Sequence, residues 1–406
     1  MPLTSEQLKL LQTAFRPHAA IEDPDSFFGR DREMEKLREA LTEAGLQVIV
    51  YGEPGCGKTS IANVATKDFP RLKVFCEADA DFAGILRDTA LGLSALDPQR
   101  YVYDGLKGTM SVAGTILPLG KMTGNGLLSL LPKADPFCVI FDEIDRVKDK
   151  RVVAAIAELA KNAATTCPDV TFVLVGVAET AGGLLHGHSS NFRNILELPL
   201  DRMREPGMRD ILSHGEKVLS ITFSDEVSTE IIQLCDGMPY FLHLLAKHAA
   251  KAAMEVRAPT VEMDDLLRGS VEAAGAADQQ LRTNYDLAIM ADGEIGILRR
   301  LFRTVSDLVI NREHIADTST SVYQRIIWAM ASLPKKGNNV AEITSQTNKI
   351  KIEALDGDLT EKIVRSALKR LTTKEKGQLL SQPFPGIYSF SSPLMKGFVR
   401  LVRYGL

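Results

Sequence analysis

The segment QVIVYGEPGCGKTSIANVA, residues 47–65, decides how this chain is read. A short run of β-branched and apolar residues meets a glycine-rich turn, and helix-forming residues follow at once. Inside it GEPGCGKT, residues 52–59, fits G-x-x-x-x-G-K-[ST] in the strand-to-helix setting that the pattern needs. Gly52, Gly55 and Gly57 permit positive φ and close backbone approach, so a loop completed by Glu53, Pro54 and Cys56 is expected to wrap its N–H groups around a polyphosphate. That group would sit at a helix N-terminus, with Ser60 in the first turn. Lys58 is expected to reach the β- and γ-phosphates and Thr59 to ligate Mg²⁺, which makes ATP or ADP with magnesium the expected cofactor. Cys56 reads as a tolerated small residue whose oxidation or alkylation would block nucleotide entry if it were exposed.

Outward from this segment, four more short apolar runs follow at 72–76, 137–142, 170–176 and 194–200, most of them separated by helix-length stretches. Five strands alternating with helices imply an α/β fold with a parallel five-stranded sheet. The run FCVIFD ends in Asp142 and Glu143, about 80 residues after the glycine-rich loop. Two acids are thus placed at the carboxyl edge of a buried strand, where ligands bind. Asp142 is expected to hold the Mg²⁺ shell, and Glu143 to orient and deprotonate an attacking water. Arg193, just before the fifth strand, is the cation expected to stabilise charge on a transferred phosphoryl group.

The chain has 406 residues, 45% apolar and 25% charged, which favours two or three ordinary globular domains. No run of 18 apolar residues occurs, and the N-terminus lacks a basic-then-apolar export signal, so a cytoplasmic protein with no membrane partner is expected. Cys56, Cys76, Cys138, Cys167 and Cys235 form no C-x-x-C pair and read as reduced, mostly buried thiols. His186 and His188 have no third ligand at a recognisable spacing, and no metal is expected there.

Charge is divided unevenly. Residues 321–406 hold 14 Lys/Arg against 6 Asp/Glu, a balance of +8, which leaves the first 320 residues at −12 within an overall −4. Such an acidic body with a basic end could meet a phosphate backbone. Beyond residue 204 the strand signal fades into helices, with Ser224 as an expected N-cap, a helical connector over about 260–315 and the DTSTS run at 317–321 as a linker. Helices at 322–333, 340–347 and 358–374, then two short strands around PFPG, follow the order of a winged helix-turn-helix. On the third helix Val364, Leu368 and Leu371 form a core stripe. Lys362, Arg365 and Lys369 lie on another face as candidates for double-stranded DNA, or as the solvated face of a protein-binding module. The glycine-rich stretch 104–136 reads either as an inserted hairpin presenting Lys107 and Lys121 to a partner, or as a mobile surface excursion, the reading preferred.

GEPGCGKT, FDEID, the leading FFGRDRE box, Arg193 and the terminal helices and strands together resemble P-loop NTPases of the AAA+ class, of the origin-recognition and initiator type, over residues 27–406. The resemblance implies a leader at 1–26, an AAA+ nucleotide-binding domain at 27–203, a helical lid at 204–275, a connector at 276–320 and a winged helix at 321–406. It implies an ATP-hydrolysing switch that self-assembles into a homo-oligomer, with Gly29 and Arg30 at the adenine pocket and Arg193 as an arginine finger. Two features depart from that pattern. The fourth strand ends in VLVGVAET, offering only Glu179 or Thr180 as a polar sensor, and the lid carries GMPYFLH without the expected arginine. Gly237-Met238-Pro239 there is similar to the G-x-P signature of STAND signalling ATPases, Tyr240 or His243 stands near the place of the missing arginine, and Pro239 and Tyr240 become the candidate lid contacts to nucleotide. Slow hydrolysis is expected, and the alternative is a signalling or defence ATPase whose winged helix binds a protein partner or effector.

Overall fold

A computed structural model describes residues 2–132, 136–185, 194–289, 318–350 and 357–405. They form two compact units, His18–His214 and a second made of residues 1–17 with Gly215–Leu406.

The first unit is built on a five-stranded sheet of β1 (Gln47–Gly52), β2 (Arg71–Phe75), β6 (Phe137–Asp142), β7 (Val170–Val177) and β8 (Ile195–Leu200). Their order is β2-β6-β7-β1-β8, and every neighbouring pair is parallel. The near-continuous apolar runs are explained by burial on both faces: all six residues of β6 are buried, and the Phe141 and Phe172 rings stack at 5.6 Å. Gln47 is a buried polar residue of this sheet. The Gln47 side chain accepts from Phe172 N–H at 2.7 Å and donates to the Val170 carbonyl at 3.3 Å, tying β1 to β7. Because β7 lies between β1 and β6, the glycine-rich loop and Asp142 emerge at the same carboxyl edge.

Around the sheet run α2 (Asp31–Thr42), α3 (Lys58–Ala65), α4 (Phe82–Leu96), α5 (Gly124–Leu130), α6 (Lys150–Thr166), α7 (Ala181–Leu184) and the start of α8 (Glu205–Leu219). The glycine-rich stretch, expected to be a surface excursion, is folded. It forms an antiparallel sheet of β3 (Tyr101–Asp104), β4 (Thr109–Val112) and β5 (Thr115–Pro118), followed by α5. Tyr101, Met110, Leu119, Leu127 and Leu128 pack into the main core, which is what orders it. Lys107 sits in the β3–β4 turn, paired with Asp104 at 3.4 Å.

In the second unit α1 (Ser5–Ala14) accompanies α9 (Asp225–Cys235), α10 (Pro239–Glu255), α11 (Met263–Ala276) and α12 (Gln279–Ile289). Ser224 caps α9 by accepting from Val227 N–H. Two two-residue strands, β9 (Thr222–Phe223) and β10 (Thr260–Val261), pair in parallel where only helices were expected. Then come α13 (Thr318–Ser332), β11 (Asn338–Asn339), α14 (Val340–Lys349), α15 (Glu361–Leu371), β12 (Leu380–Phe384), β13 (Ile387–Phe390) and α16 (Pro393–Tyr404). The last sheet has the antiparallel order β11-β13-β12. Within the DTSTS run, expected as a linker, α13 begins at Thr318. Val364, Leu368 and Leu371 are fully buried, and Lys362, Arg365 and Lys369 are exposed. Among the described residues no helix is long and apolar enough to cross a membrane.

Candidate functional site

The turn after β1 is built by glycine. Gly52, Gly55 and Gly57 have φ of 152°, 78° and 91°. A Cβ at Gly52 would strike the Leu200 carbonyl oxygen, whereas one at Gly57 would meet nothing within 4 Å, so open space lies against the end of the loop. Gly57 is the N-cap of α3 and supplies no side-chain cap, which leaves first-turn N–H groups for an anion.

Lys58 opens that helix. Its side chain is buried, and its ammonium donates to the neutral Glu53 carbonyl at 2.8 Å. Burial lowers its pKa from the usual 10.5, opposed by the nearby Cys56, Asp145, Asp142 and Glu53. Thr59 donates its hydroxyl to Asp142 Oδ1 at 3.2 Å, joining the loop to the end of β6. Asp142 is 2% exposed, and its Oδ1 also accepts from Glu143 N–H at 3.0 Å. Glycine curvature, a buried lysine and a hydroxyl–carboxylate pair fit a magnesium-bound polyphosphate. Among the described residues no cluster of three His, Cys, Asp or Glu could hold a metal.

Glu143 has φ 60° and ψ 36°, a left-handed conformation in a residue with a Cβ. Its carboxylate accepts from Arg146 at 2.6 Å, in an exposed pair three residues apart. Sequence alone left the polar group at the end of β7 between Glu179 and Thr180. The Thr180 hydroxyl is used as the N-cap of α7, accepting from Gly183 N–H at 2.9 Å. Asp145 also reaches β7, its carboxylate accepting from Val177 N–H at 2.7 Å.

Cys56 is 1% exposed and burial raises its thiol pKa, so the expected block of nucleotide entry by its modification does not apply to this buried side chain. Ser60 accepts from Ile21 N–H at 3.0 Å, so its hydroxyl anchors the irregular segment ahead of Pro24. Arg30 is buried and donates to the carbonyls of Cys56 at 3.3 Å and Asp201 at 2.5 Å, while its Nε has no partner among the described residues. Gly29, at φ 73°, lets the backbone approach Gly207, whose Cα stands 2.6 Å from where a Cβ would be. Glu53 is paired with Arg202 at 3.1 Å, and Pro54 lies between Glu53 and Gly55 in the loop.

Sequence reasoning missed Arg202, Asp145, Arg146 and Lys73. Arg146, three residues after Glu143, was open to notice; Arg202 and Lys73 meet the site only through the sheet order. Arg193, His186 and His188 lie outside the described residues. Pro239 opens α10 at its N1 position in the other unit. Tyr240 follows, with its ring edge-on to Phe241 and its pKa raised by burial. Lys362, Arg365 and Lys369 also belong to that unit, and Arg365 lies 3.9 Å from Glu361.

No known protein-family description matches the chain. Among solved structures, it is similar to the Walker-type ATPase PABY2304 of Pyrococcus abyssi, at a TM-score of 0.53 and 16% identity over 94% of this chain and 99% of that one. The chain has the fold of a Walker-type ATPase. Weaker similarities to this Walker-type fold include Aeropyrum pernix Orc1 in complex with DNA (TM-score 0.44, 14% identity, 94% of each chain). Another is the Thermotoga maritima RuvB Holliday junction branch migration motor (0.43, 16%, 91% of this chain and 95% of that one).

Proposed function

We propose that the protein is an AAA+ ATPase of the initiator type, a nucleotide-dependent switch that hydrolyses ATP slowly, acts in the cytoplasm as a homo-oligomer and engages DNA through residues 321–406. The observation that carries this reading is the buried Lys58 at an uncapped helix N-terminus beside the Thr59–Asp142 pair. Loop N–H groups and Lys58 would bind the phosphates, and Thr59 and Asp142 would hold magnesium, which supplies charge neutralisation on the phosphate oxygens. Glu143 would orient and deprotonate water, for which its carboxylate must leave Arg146; that pairing supports slow turnover. Arg193 from a neighbouring subunit would complete the charge stabilisation. Gly29 and Arg30 would border the adenine.

The helix–strand–helix–helix–strand–strand order of residues 318–390 supports a winged helix, with Lys362, Arg365 and Lys369 facing phosphate. The remaining divisions of the chain are proposed as drawn from sequence, with a lid at 204–275 and a connector at 276–320.

The test is calorimetry with ATP and ADP, followed by turnover. Lys58→Ala is expected to lower nucleotide affinity by about 100-fold or more. Glu143→Gln is expected to keep binding while turnover falls by about 10²- to 10⁴-fold. Folded wild-type protein that ignores millimolar ATP and ADP would end this reading.

One observation favours the signalling alternative. Asp236, beside the Gly237-Met238-Pro239 turn, faces Arg400 at 3.2 Å and Lys396 at 3.8 Å on the terminal helix α16. The G-x-P element and the terminal region are thus mechanically joined, as a module regulating a protein partner would require. Salt-dependent DNA binding separates the two readings.

A further inference from the structure

The Asp142 carboxylate already has a cation. Its Oδ2 lies 2.9 Å from Lys73 Nζ, on the side away from the Thr59 and Glu143 donors, which both use Oδ1. Lys73 comes from the edge strand β2, where Leu72 and Val74 turn into the core and Lys73 and Phe75 alternate to the opposite face. Three groups fix its ammonium: the carboxylate, Asn63 Oδ1 on α3 at 3.2 Å, and the Phe75 ring, whose centre is 4.8 Å away. The Lys73 side chain is 23% exposed, so this charge is only partly screened by solvent.

We propose that Lys73 is a positioning residue of the nucleotide site, a resident counter-cation that holds Asp142 in place and neutralises it before any metal arrives. The proposal rests on reading the site as one for nucleotide and magnesium. Its consequence is electrostatic. An incoming triphosphate meets Asp142, Glu143 and Asp145 at one edge, and without a metal Lys73, in direct contact with the carboxylate, offsets the repulsion from Asp142 alongside Lys58. Lys73 therefore lets nucleotide bind before magnesium, and the metal adds less affinity than it would at an unpaired carboxylate.

The experiment measures ATP affinity of the full chain by calorimetry in excess chelator and in millimolar Mg²⁺. Lys73→Met should weaken metal-free binding by about tenfold or more while weakening Mg²⁺-ATP binding less, so the ratio of the two dissociation constants rises. Lys73→Arg should restore the wild-type ratio. A second arm needs no nucleotide: millimolar Mg²⁺ alone should raise the melting temperature of Lys73→Met and leave that of wild type nearly unchanged. An unchanged ratio and an unchanged response to Mg²⁺ in Lys73→Met would overturn the proposal. Lys73→Gln serves for both arms if the methionine variant does not fold. If wild type bound no nucleotide at all, the ATP reading would fall, and the melting arm would still judge the Lys73–Asp142 pair.

Discussion

At the scale of single residues, Lys58 is the side chain whose protonation state matters most. Burial lowers its pKa, and a bound phosphate would raise it again, because the anion favours the charged form. Nucleotide affinity should therefore decline as pH rises through the lowered pKa of the free protein, earlier than it would for an exposed lysine near 10.5. Calorimetric titrations carried up to pH 10.5 check this, and a profile that stays flat to that pH would contradict it. Glu143 belongs to the same scale. Its carboxylate is held by Arg146, which it must leave to reach a water, so Arg146→Ala should raise turnover while leaving ATP affinity within about twofold. A loss of binding in that variant would mean that Arg146 belongs to the phosphate cradle.

At the scale of elements, close helix packing gives the clearest forecast. Gly269 on α11 faces the backbone of α10, and a Cβ there would stand 2.5 Å from Ala249 N and 2.6 Å from its Cα. Backbone cannot yield as a flexible side chain does, so Gly269→Ala should destabilise the protein by about 1–3 kcal/mol, read as a lower melting temperature. Gly397 repeats the situation more softly, since what a Cβ would meet is the Phe241 ring, at 2.5 Å. A smaller cost than at Gly269 is expected there. Element identity was largely legible beforehand: the five parallel strands, the Ser224 cap and the buried stripe of α15 follow from period and composition. The segment at 101–130 was not. Its glycines and sparse charge look like a loop, and only the burial of Tyr101, Met110 and Leu127 in the main core turns it into a sheet and a helix.

At the scale of the whole molecule, the uneven charge makes a solution prediction. If residues 321–406 meet DNA, affinity should fall steeply with salt, and replacing Lys362, Arg365 and Lys369 together by alanine should reduce the slope of log K against log salt by roughly three. Filter binding or anisotropy across 50–300 mM salt decides it, and an unchanged slope would remove those residues from any DNA surface. Sequence by itself determined the glycine-rich loop, its lysine and the two acids at the end of β6, because backbone curvature and charge at fixed spacing are local properties. It also determined the alternation that makes a parallel sheet. Only tertiary structure decided which cations meet those acids. Lys73 reaches Asp142 because β2 pairs with β6, and Arg202 reaches Glu53 because the end of β8 lies beside the loop after β1. Partners so far apart in sequence are chosen by strand order, which local spacing does not encode.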